Sequence, residues 1–141
     1  SAAALNGIPA VVSVGADDMV NFGPWDTVPK HYQSRNLYKH NPTVTLMRTT
    51  VEENEQIGRA IASKVNMSIG PCAVMLPLKG VSMIDAEGQP FYGPEEDAAL
   101  FQVLRDEIDP TKAELIEMDA HVNDDEFAIA AAQKLIDLMN Q

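Results

Sequence analysis

The stretch PAVVSVG, residues 9–15, decides the fold class of this chain. Its apolar residues are mostly β-branched and follow one another with little interruption, which predicts a strand buried on both faces of a parallel sheet. Three further apolar runs predict strands at Thr43–Met47, Cys72–Leu76 and Glu114–Met118. We therefore expect a sheet of short, largely buried strands at the centre of the fold.

Helix signals lie between these predicted strands. Thr50 and Glu53 match a capping box, in which each side chain bonds to the backbone amide of the other residue. Pro94 is followed by three acidic residues and predicts a second helix start, and Asn123 with Glu126 predicts a third. This alternation predicts an α/β fold, with a mainly parallel sheet flanked by helices in a Rossmann-like, three-layer arrangement.

We expect one α/β domain, residues 1–141, that is the C-terminal portion of a longer, two-domain protein. The alanine-rich Ser1–Asn6 is typical of the last turn of a helix that Gly7 closes in the left-handed conformation, so the chain would start inside a βαβ unit. Residues 81–93 predict a small hairpin-like arm that turns at a glycine. Residues 17–41 form a long connection, which indicates a functional or locally structured segment.

Composition narrows the class of protein. The chain has 141 residues, of which 45% are hydrophobic, enough for one core. Ten basic and 21 acidic residues give a net charge of −11, which disfavours nucleic-acid binding because that depends on Lys and Arg at phosphates. The single cysteine, Cys72, excludes an internal disulfide and a Cys-based zinc cage. No membrane span or signal peptide is evident, so we expect a cytoplasmic protein.

Polar residues follow each predicted strand. Asp17 and Asp18 come after the first, Arg48 to Thr50 after the second, Lys79 and Gly80 after the third, and residues 119–123 after the fourth. Ligands of parallel α/β sheets bind in the crevice beyond the carboxyl ends of the strands. The four clusters therefore predict one shared site.

Two interpretations of each cluster stay open. Arg48 beside a helix start suits a phosphate or carboxylate, but it could equally pair with an acid while the threonines cap the helix. His121, His40 and Asp119 are the candidate catalytic residues, for acid–base or metal-assisted chemistry, whereas His121 could instead bond to backbone. Asp17 and Asp18 are the candidate Mg²⁺ ligands, or they are solvent-exposed turn residues. The sequence contains no P-loop, GxGxxG, GxSxG or HExxH motif.

Four strings in order resemble a known family: VVSVGADDMVNFGPWDTVP, HNPTVTLMRTTVEEN, MLPLKGVSMIDAEGQPF and MDAHVNDDEFA. The family contains uncharacterised bacterial, archaeal and plant proteins related to the tomato mosaic virus resistance protein, and is often described as ATP-binding-domain-like. The resemblance covers nearly the whole chain. It implies that the chain is the C-terminal part of the second α/β domain of a longer protein, and that ATP and Mg²⁺ are the cofactors to consider.

The leading hypothesis is a domain that binds a small molecule, either a nucleotide or another phosphorylated ligand, with Mg²⁺ at the carboxyl ends of the strands. The alternatives are an enzyme that uses His and Asp at the same crevice, and a protein-interaction module. Expected partners are the missing N-terminal part of the protein and a second copy of the chain in a homo-oligomer. The candidate ligand-binding residues are Asn21, Phe22, Gly23, Arg48, Thr49, Thr50, Gly80, Val81, Ser82, His121 and Asn123.

Overall fold

The computed structural model describes residues 6–141. Its elements are β1 (Ala10–Ser13), β2 (Met19–Phe22), β3 (Leu37–Asn41), β4 (Val44–Arg48), α1 (Val51–Val65), β5 (Cys72–Pro77), α2 (Pro94–Glu107), β6 (Glu114–Met118) and α3 (Asp125–Met139). The predicted α/β class is confirmed. Gly7 has the expected left-handed conformation, with φ of 77°, while residues 1–5 of the predicted first helix lie outside the described residues.

A parallel sheet with the order β1-β5-β6 forms the centre of the molecule. Every residue of β5 is buried, as its uninterrupted apolar sequence predicts. Helices α1 and α2 cover one face of the sheet, and α3 packs on the other face. Gly58 lets α1 lie close to α2, because a Cβ atom there would come within 3.0 Å of the Val103 side chain. The three-layer arrangement is confirmed.

The strand predicted at Thr43–Met47 does not join the parallel sheet, so that part of the prediction is wrong. Strand β4 is the central strand of a separate antiparallel sheet with the order β2-β4-β3. The turn between β3 and β4 is local, and the Asn41 side chain accepts a hydrogen bond from the Thr43 amide at 2.9 Å. Both partner strands lie in the connection 17–41, where prolines and polar residues mask their alternation.

Segments on either side complete the antiparallel sheet. On one side, the Tyr32 ring lies 5.8 Å from the ring of Phe22 in β2. On the other, Phe91 is fully buried and meets the edge of the Tyr38 ring at 6.3 Å. Residues 81–93, predicted as a hairpin-like arm, form turns with one isolated bridge between Ser82 and Asp85. This segment is therefore packed against the body of the protein at its Phe91 end.

The helix starts follow the sequence signals in two cases out of three. The capping box of Thr50 and Glu53 is confirmed, and Pro94 is the first residue of α2. Helix α3 begins at Asp125 after Asp124, so the prediction that Asn123 caps it is wrong. The Asp124 carboxylate accepts a hydrogen bond from the His121 amide instead. None of the helices within residues 6–141 has the length and apolar character needed to cross a bilayer.

Candidate functional site

The loops that follow β1, β4, β5 and β6 meet at one end of the molecule. The Thr49 amide donates to the Asp18 carbonyl at 2.9 Å, and the Ser82 hydroxyl donates to the Asp18 carboxylate at 2.5 Å. Nε2 of His121 lies 2.7 Å from the Ser82 carbonyl oxygen. One residue from each loop therefore takes part in a single chain of hydrogen bonds, at the end of the sheet where ligands of α/β proteins bind.

Arg48 ties the end of β4 to residues 85–93 and to the first turn of α2 from inside. Its side chain is only 5% exposed. The guanidinium donates to the carbonyl oxygens of Phe91 at 3.0 Å and Gly93 at 3.2 Å, to the Asp97 carboxylate at 2.7 Å and to the Thr49 hydroxyl at 3.3 Å. With four hydrogen bonds inside the protein, Arg48 matches the second interpretation, an arginine paired with an acid, better than that of a free anion ligand.

Two carboxyl groups face each other beside Arg48. Asp85 is fully buried, and its two oxygens accept hydrogen bonds from the amides of Val81 at 3.1 Å and Gly93 at 3.0 Å. Burial raises the pKa of Asp97 to about 8, and a hydrogen bond to Asp85 adds to this effect. The pair therefore retains a proton to a higher pH than an isolated carboxyl group would, and it lies opposite the guanidinium.

The raised pKa of Asp97 predicts a pH-dependent stability. A group whose pKa is higher in the folded state stabilises the fold fully below its unfolded pKa, here 3.8, and loses that contribution as pH rises through about 8. Asp97→Asn imitates the protonated carboxyl, so its stability does not fall in this way as pH rises. We expect the free energy of unfolding of this variant, relative to wild type, to rise between pH 5 and 8 by up to roughly 1 kcal/mol per pH unit. Denaturant titrations of both proteins measure it, and a difference that stays constant with pH would contradict the assignment.

Asp17 and Asp18, the candidate Mg²⁺ ligands, lie in the loop that follows β1. Burial, followed by the charge of Asp18, raises the pKa of Asp17 to about 6. Asp18 is fully buried, burial raises its pKa as well, and its second oxygen has no hydrogen-bond partner in the described part of the chain. Within residues 6–141, no group of three or more His, Cys, Asp or Glu side chains is arranged to hold a metal ion. A metal role for this pair stays a prediction.

Both ring nitrogens of His121 are engaged, and Nε2 connects the loop after β6 with the loop after β5. The Asn123 amide donates to Nδ1 at 3.1 Å, so the proton is assigned to Nε2, which then donates to the Ser82 carbonyl. Its Cδ2 atom also lies close to Gly80, where a Cβ atom would approach it to 2.8 Å. His121 thus fits the interpretation of a loop histidine bonded to backbone, while part of it still faces the cleft described next.

A cleft of about 570 Å³ opens beyond the carboxyl ends of β5 and β6. The first turn of α2 forms one wall, and the loops that follow β5 and β6 form the others. Lys79 supplies a positive charge and Tyr92 an exposed aromatic ring, while the remaining polar groups are mostly acidic. The polar and aromatic side chains that line it are Lys79, Glu87, Tyr92, Asp97, His121 and Asp124.

Several predicted site residues lie elsewhere. Asn21 and His40 line a separate, mostly apolar depression of about 320 Å³ on the antiparallel sheet, which Met83 also borders. Phe22 pairs with Thr45 three positions before Arg48, and the chain continues from there away from the cleft. Asp119 is exposed, and no hydrogen bond links it to either histidine among the described residues. The structure does not bring the three candidate catalytic residues together.

Thr49, Thr50, Gly80, Val81 and Ser82 support the site without forming its open surface. The threonine and serine hydroxyls are engaged in the hydrogen bonds that close the loops and cap α1. Gly80 and Val81 are buried beneath the cleft. These residues fix the shape of the rim of the cleft, while Thr49 and Thr50 line a separate depression of about 400 Å³ beside Arg48.

Sequence patterns missed three residues that shape the cleft: Asp85, Tyr92 and Asp97. Asp97 sits in an acidic first turn of a helix, which the helix dipole alone explains. Asp85 lies in a turn-forming string, where an acid is ordinary. The one signal in the sequence was the excess of acidic over basic residues, which favours an acidic partner for Arg48 but does not tell which acid it is.

A family model for the C-terminal domain of the uncharacterised protein family UPF0261 matches residues 1–139. The chain belongs to this family. A UPF0261 protein of Clostridium tetani is 57% identical over 135 residues, which are 96% of this chain and 33% of the relative. A UPF0261 protein of Rhizobium meliloti is 48% identical over 134 residues, which are 94% of this chain and 34% of the relative.

A plant relative confirms the resemblance seen in the sequence motifs. The ToMV resistance protein Tm-1(GCR237) of Solanum lycopersicum is 42% identical over 132 residues, which are 93% of this chain and 18% of that protein. The chain thus spans about a third of the length of the bacterial UPF0261 relatives and less of the tomato protein. These lengths agree with the expectation that the domain is one part of a longer protein.

Proposed function

We propose that this UPF0261 domain binds a phosphorylated small molecule of the nucleotide class, as its Mg²⁺ complex, in the cleft beyond β5 and β6. The observation that carries the proposal is the position of the cleft, which lies where α/β sheets bind their ligands. The resemblance to ATP-binding-domain-like proteins supports ATP as the first ligand to test.

The charges of the cleft favour a metal complex over a free phosphate. Glu87 and Asp124 outnumber Lys79, so a bare phosphate would be repelled by these carboxylates. Mg²⁺ commonly binds one or two carboxylates together with the phosphates of a substrate, without a cage of protein ligands. Glu87 and Asp124 are the residues that would hold such an ion, while the protonated Asp97 adds no charge.

Lys79, Tyr92 and Leu78 line the cleft as well, and they suit the phosphates and the base of a nucleotide. Lys79 is exposed and free of ion pairs among the described residues, so its ammonium group is available to a phosphate. The ring of Tyr92 is about half exposed at the cleft and offers a flat apolar surface to a base. Leu78 adds a second apolar contact.

Calorimetric titration with ATP, with and without Mg²⁺, tests the proposal. We expect binding that requires Mg²⁺ and becomes at least about tenfold weaker in Lys79→Ala, since the loss of one charged hydrogen bond costs this much or more. Lys64→Ala is the matched control, because it removes the same charge from an exposed position in the last turn of α1, which does not line the cleft. Equal binding by the two variants, or no binding by wild type, would refute the proposal.

Catalysis is the second candidate, and the protonated Asp97 at the cleft is the observation that favours it. A carboxyl that keeps its proton at neutral pH can act as a general acid. Phosphate release from ATP in the presence of Mg²⁺ tests this role. Release that disappears in Asp97→Asn, with ligand binding preserved, would establish an enzyme; binding without release leaves a binding domain.

A further inference from the structure

Helix α3 differs from the other two helices in what it exposes. The exposed residues of α1 and α2 are polar or are alanine and proline. On α3, by contrast, Ile129 is 69% exposed, Ile136 is 51% exposed and Met139 is 63% exposed. Phe127 and Leu138 are buried on the opposite side, and Phe127 belongs to the core cluster with Met75 of the sheet. The helix therefore has apolar residues on two sides, toward the sheet and toward solvent, which is typical of a helix covered on both sides.

The exposed apolar residues form one continuous stripe. At 100° per residue, Ile129, Ala132, Leu135, Ile136 and Met139 fall within one third of the helix circumference. Asp125, in the first turn, lies in the same arc, and Glu126, Gln133 and Asp137 border it on one side. We call these five residues the α3 stripe. An exposed apolar surface of this extent marks an interaction site.

The stripe continues at the end of the sheet opposite the cleft. Helix α3 follows β6 and packs on β1 and β5, so it returns toward the amino ends of the strands. Ile8 precedes β1 and Ile69 precedes β5, and both side chains are exposed. They therefore lie toward the same end of the sheet as Met139 and are further exposed apolar side chains there.

The structure assigns this surface to contact with another part of the same polypeptide: we propose that the α3 stripe is where the preceding region of the full-length UPF0261 protein docks. The domain is C-terminal in its family, and it accounts for only 33% and 34% of the two bacterial relatives. A region about twice as long as this domain thus precedes it in those proteins. A covalently linked region has a high effective concentration, which favours it over a separate partner.

This placement leaves the cleft free. The stripe lies on the outer side of α3 and toward the amino ends of the strands, whereas the cleft lies beyond their carboxyl ends. The inference does not depend on the proposed ligand, because it rests on the exposed apolar residues and on the length of the relatives. A domain that docks here would hold the cleft in a fixed orientation without covering it.

Cysteine labelling of the full-length protein tests the proposal. Ile129→Cys and Ile136→Cys place a thiol in the stripe, and Gln56→Cys places one at an exposed position of α1 as the control. The rate of maleimide labelling at each cysteine is measured by peptide mass spectrometry at several protein concentrations. Light scattering measures the oligomeric state at each concentration. The native Cys72 is buried and reports the global integrity of the fold.

We expect positions 129 and 136 to react at least about tenfold more slowly than position 56 in the monomeric full-length protein, at every concentration. Reaction at the same rate as position 56 would overturn the proposal, because the stripe would then face solvent. Protection that appears only as dimers form would also overturn it, since a second copy of the chain would be the occupant.

Discussion

Arg48→Ala is expected to destabilise this domain by about 3–5 kcal/mol, because it leaves a buried carboxylate without its countercharge. Asp85 is fully buried and lies 3.4 Å from the guanidinium, while Asp97 accepts a hydrogen bond from it at 2.7 Å. The carbonyl oxygens of Phe91 and Gly93 lose their donor as well. Chemical denaturation followed by circular dichroism measures the change in the free energy of unfolding.

Arg59→Ala is the matched control for this effect. Arg59 forms a pair with Glu55 at 3.6 Å on the exposed side of α1, and both side chains are in contact with water. Such pairs contribute at most about 0.5 kcal/mol. If Arg48→Ala does not fold, Arg48→Lys keeps the charge but loses the planar fork, and it should still be markedly less stable than wild type. Similar losses for Arg48→Ala and Arg59→Ala would contradict the role of Arg48 as the internal tie.

Gly80→Ala is expected to be the second most damaging change, at about 2–4 kcal/mol, since it combines backbone strain with a collision. Gly80 has φ of 142°, which residues with a side chain rarely adopt. A Cβ atom there would overlap the carbonyl oxygen of Asp85 and approach Cδ2 of His121 to 2.8 Å. The loops on both sides of the cleft would have to separate, so ligand binding should be lost together with stability.

Gly88→Ala separates strain from collision. Gly88 also has a positive φ, 83°, but no atom lies within 4 Å of a Cβ placed there. Its substitution should cost only about 1 kcal/mol and leave ligand binding unchanged. Thermal unfolding and calorimetric titration of both variants make the comparison. Equal losses would show that the contacts around Gly80 do not shape the cleft.

The sequence predicts the parallel sheet well because its signal is local and strong. The apolar runs of β1 and β5 are nearly uninterrupted, and each ends at a glycine or proline that breaks the strand. Capping at Thr50 and Pro94 is equally local. These features depend on neighbouring residues along the chain, so they can be read without knowledge of the tertiary contacts.

The antiparallel sheet could not be predicted in the same way. Strand β4 is as apolar as β1, so the pattern of its own residues does not tell which sheet it joins. Its partner β2 has only four residues and ends at Gly23-Pro24, which resembles a loop. The local turn at Asn41–Thr43 pairs β4 with β3, and residues 81–93 pack against this sheet through the contact of Phe91 with Tyr38. The second of these is a contact between distant segments, which the pattern of β4 does not encode.

The convergence of the loops was predictable, but the role of each side chain was not. The polar residues after β1, β5 and β6 were expected to meet, and they do, since parallel strands present their carboxyl ends at the same edge. The sequence left open whether Arg48 binds a ligand or pairs with an acid of the protein, and it is buried among protein acceptors. Whether a guanidinium binds a ligand or an internal carboxylate depends on burial, which a helix-cap motif does not encode.

The central claim is that the cleft beyond β5 and β6 is the ligand site, and amide chemical-shift mapping during titration with ATP and Mg²⁺ tests it most directly. The claim predicts saturable shifts at Lys79, Glu87, Tyr92 and residues 121–124, with little change around Arg59 and Ser63 at the far end of α1. Absence of shifts at the cleft, or shifts confined to the depression around His40 and Met83, would contradict it.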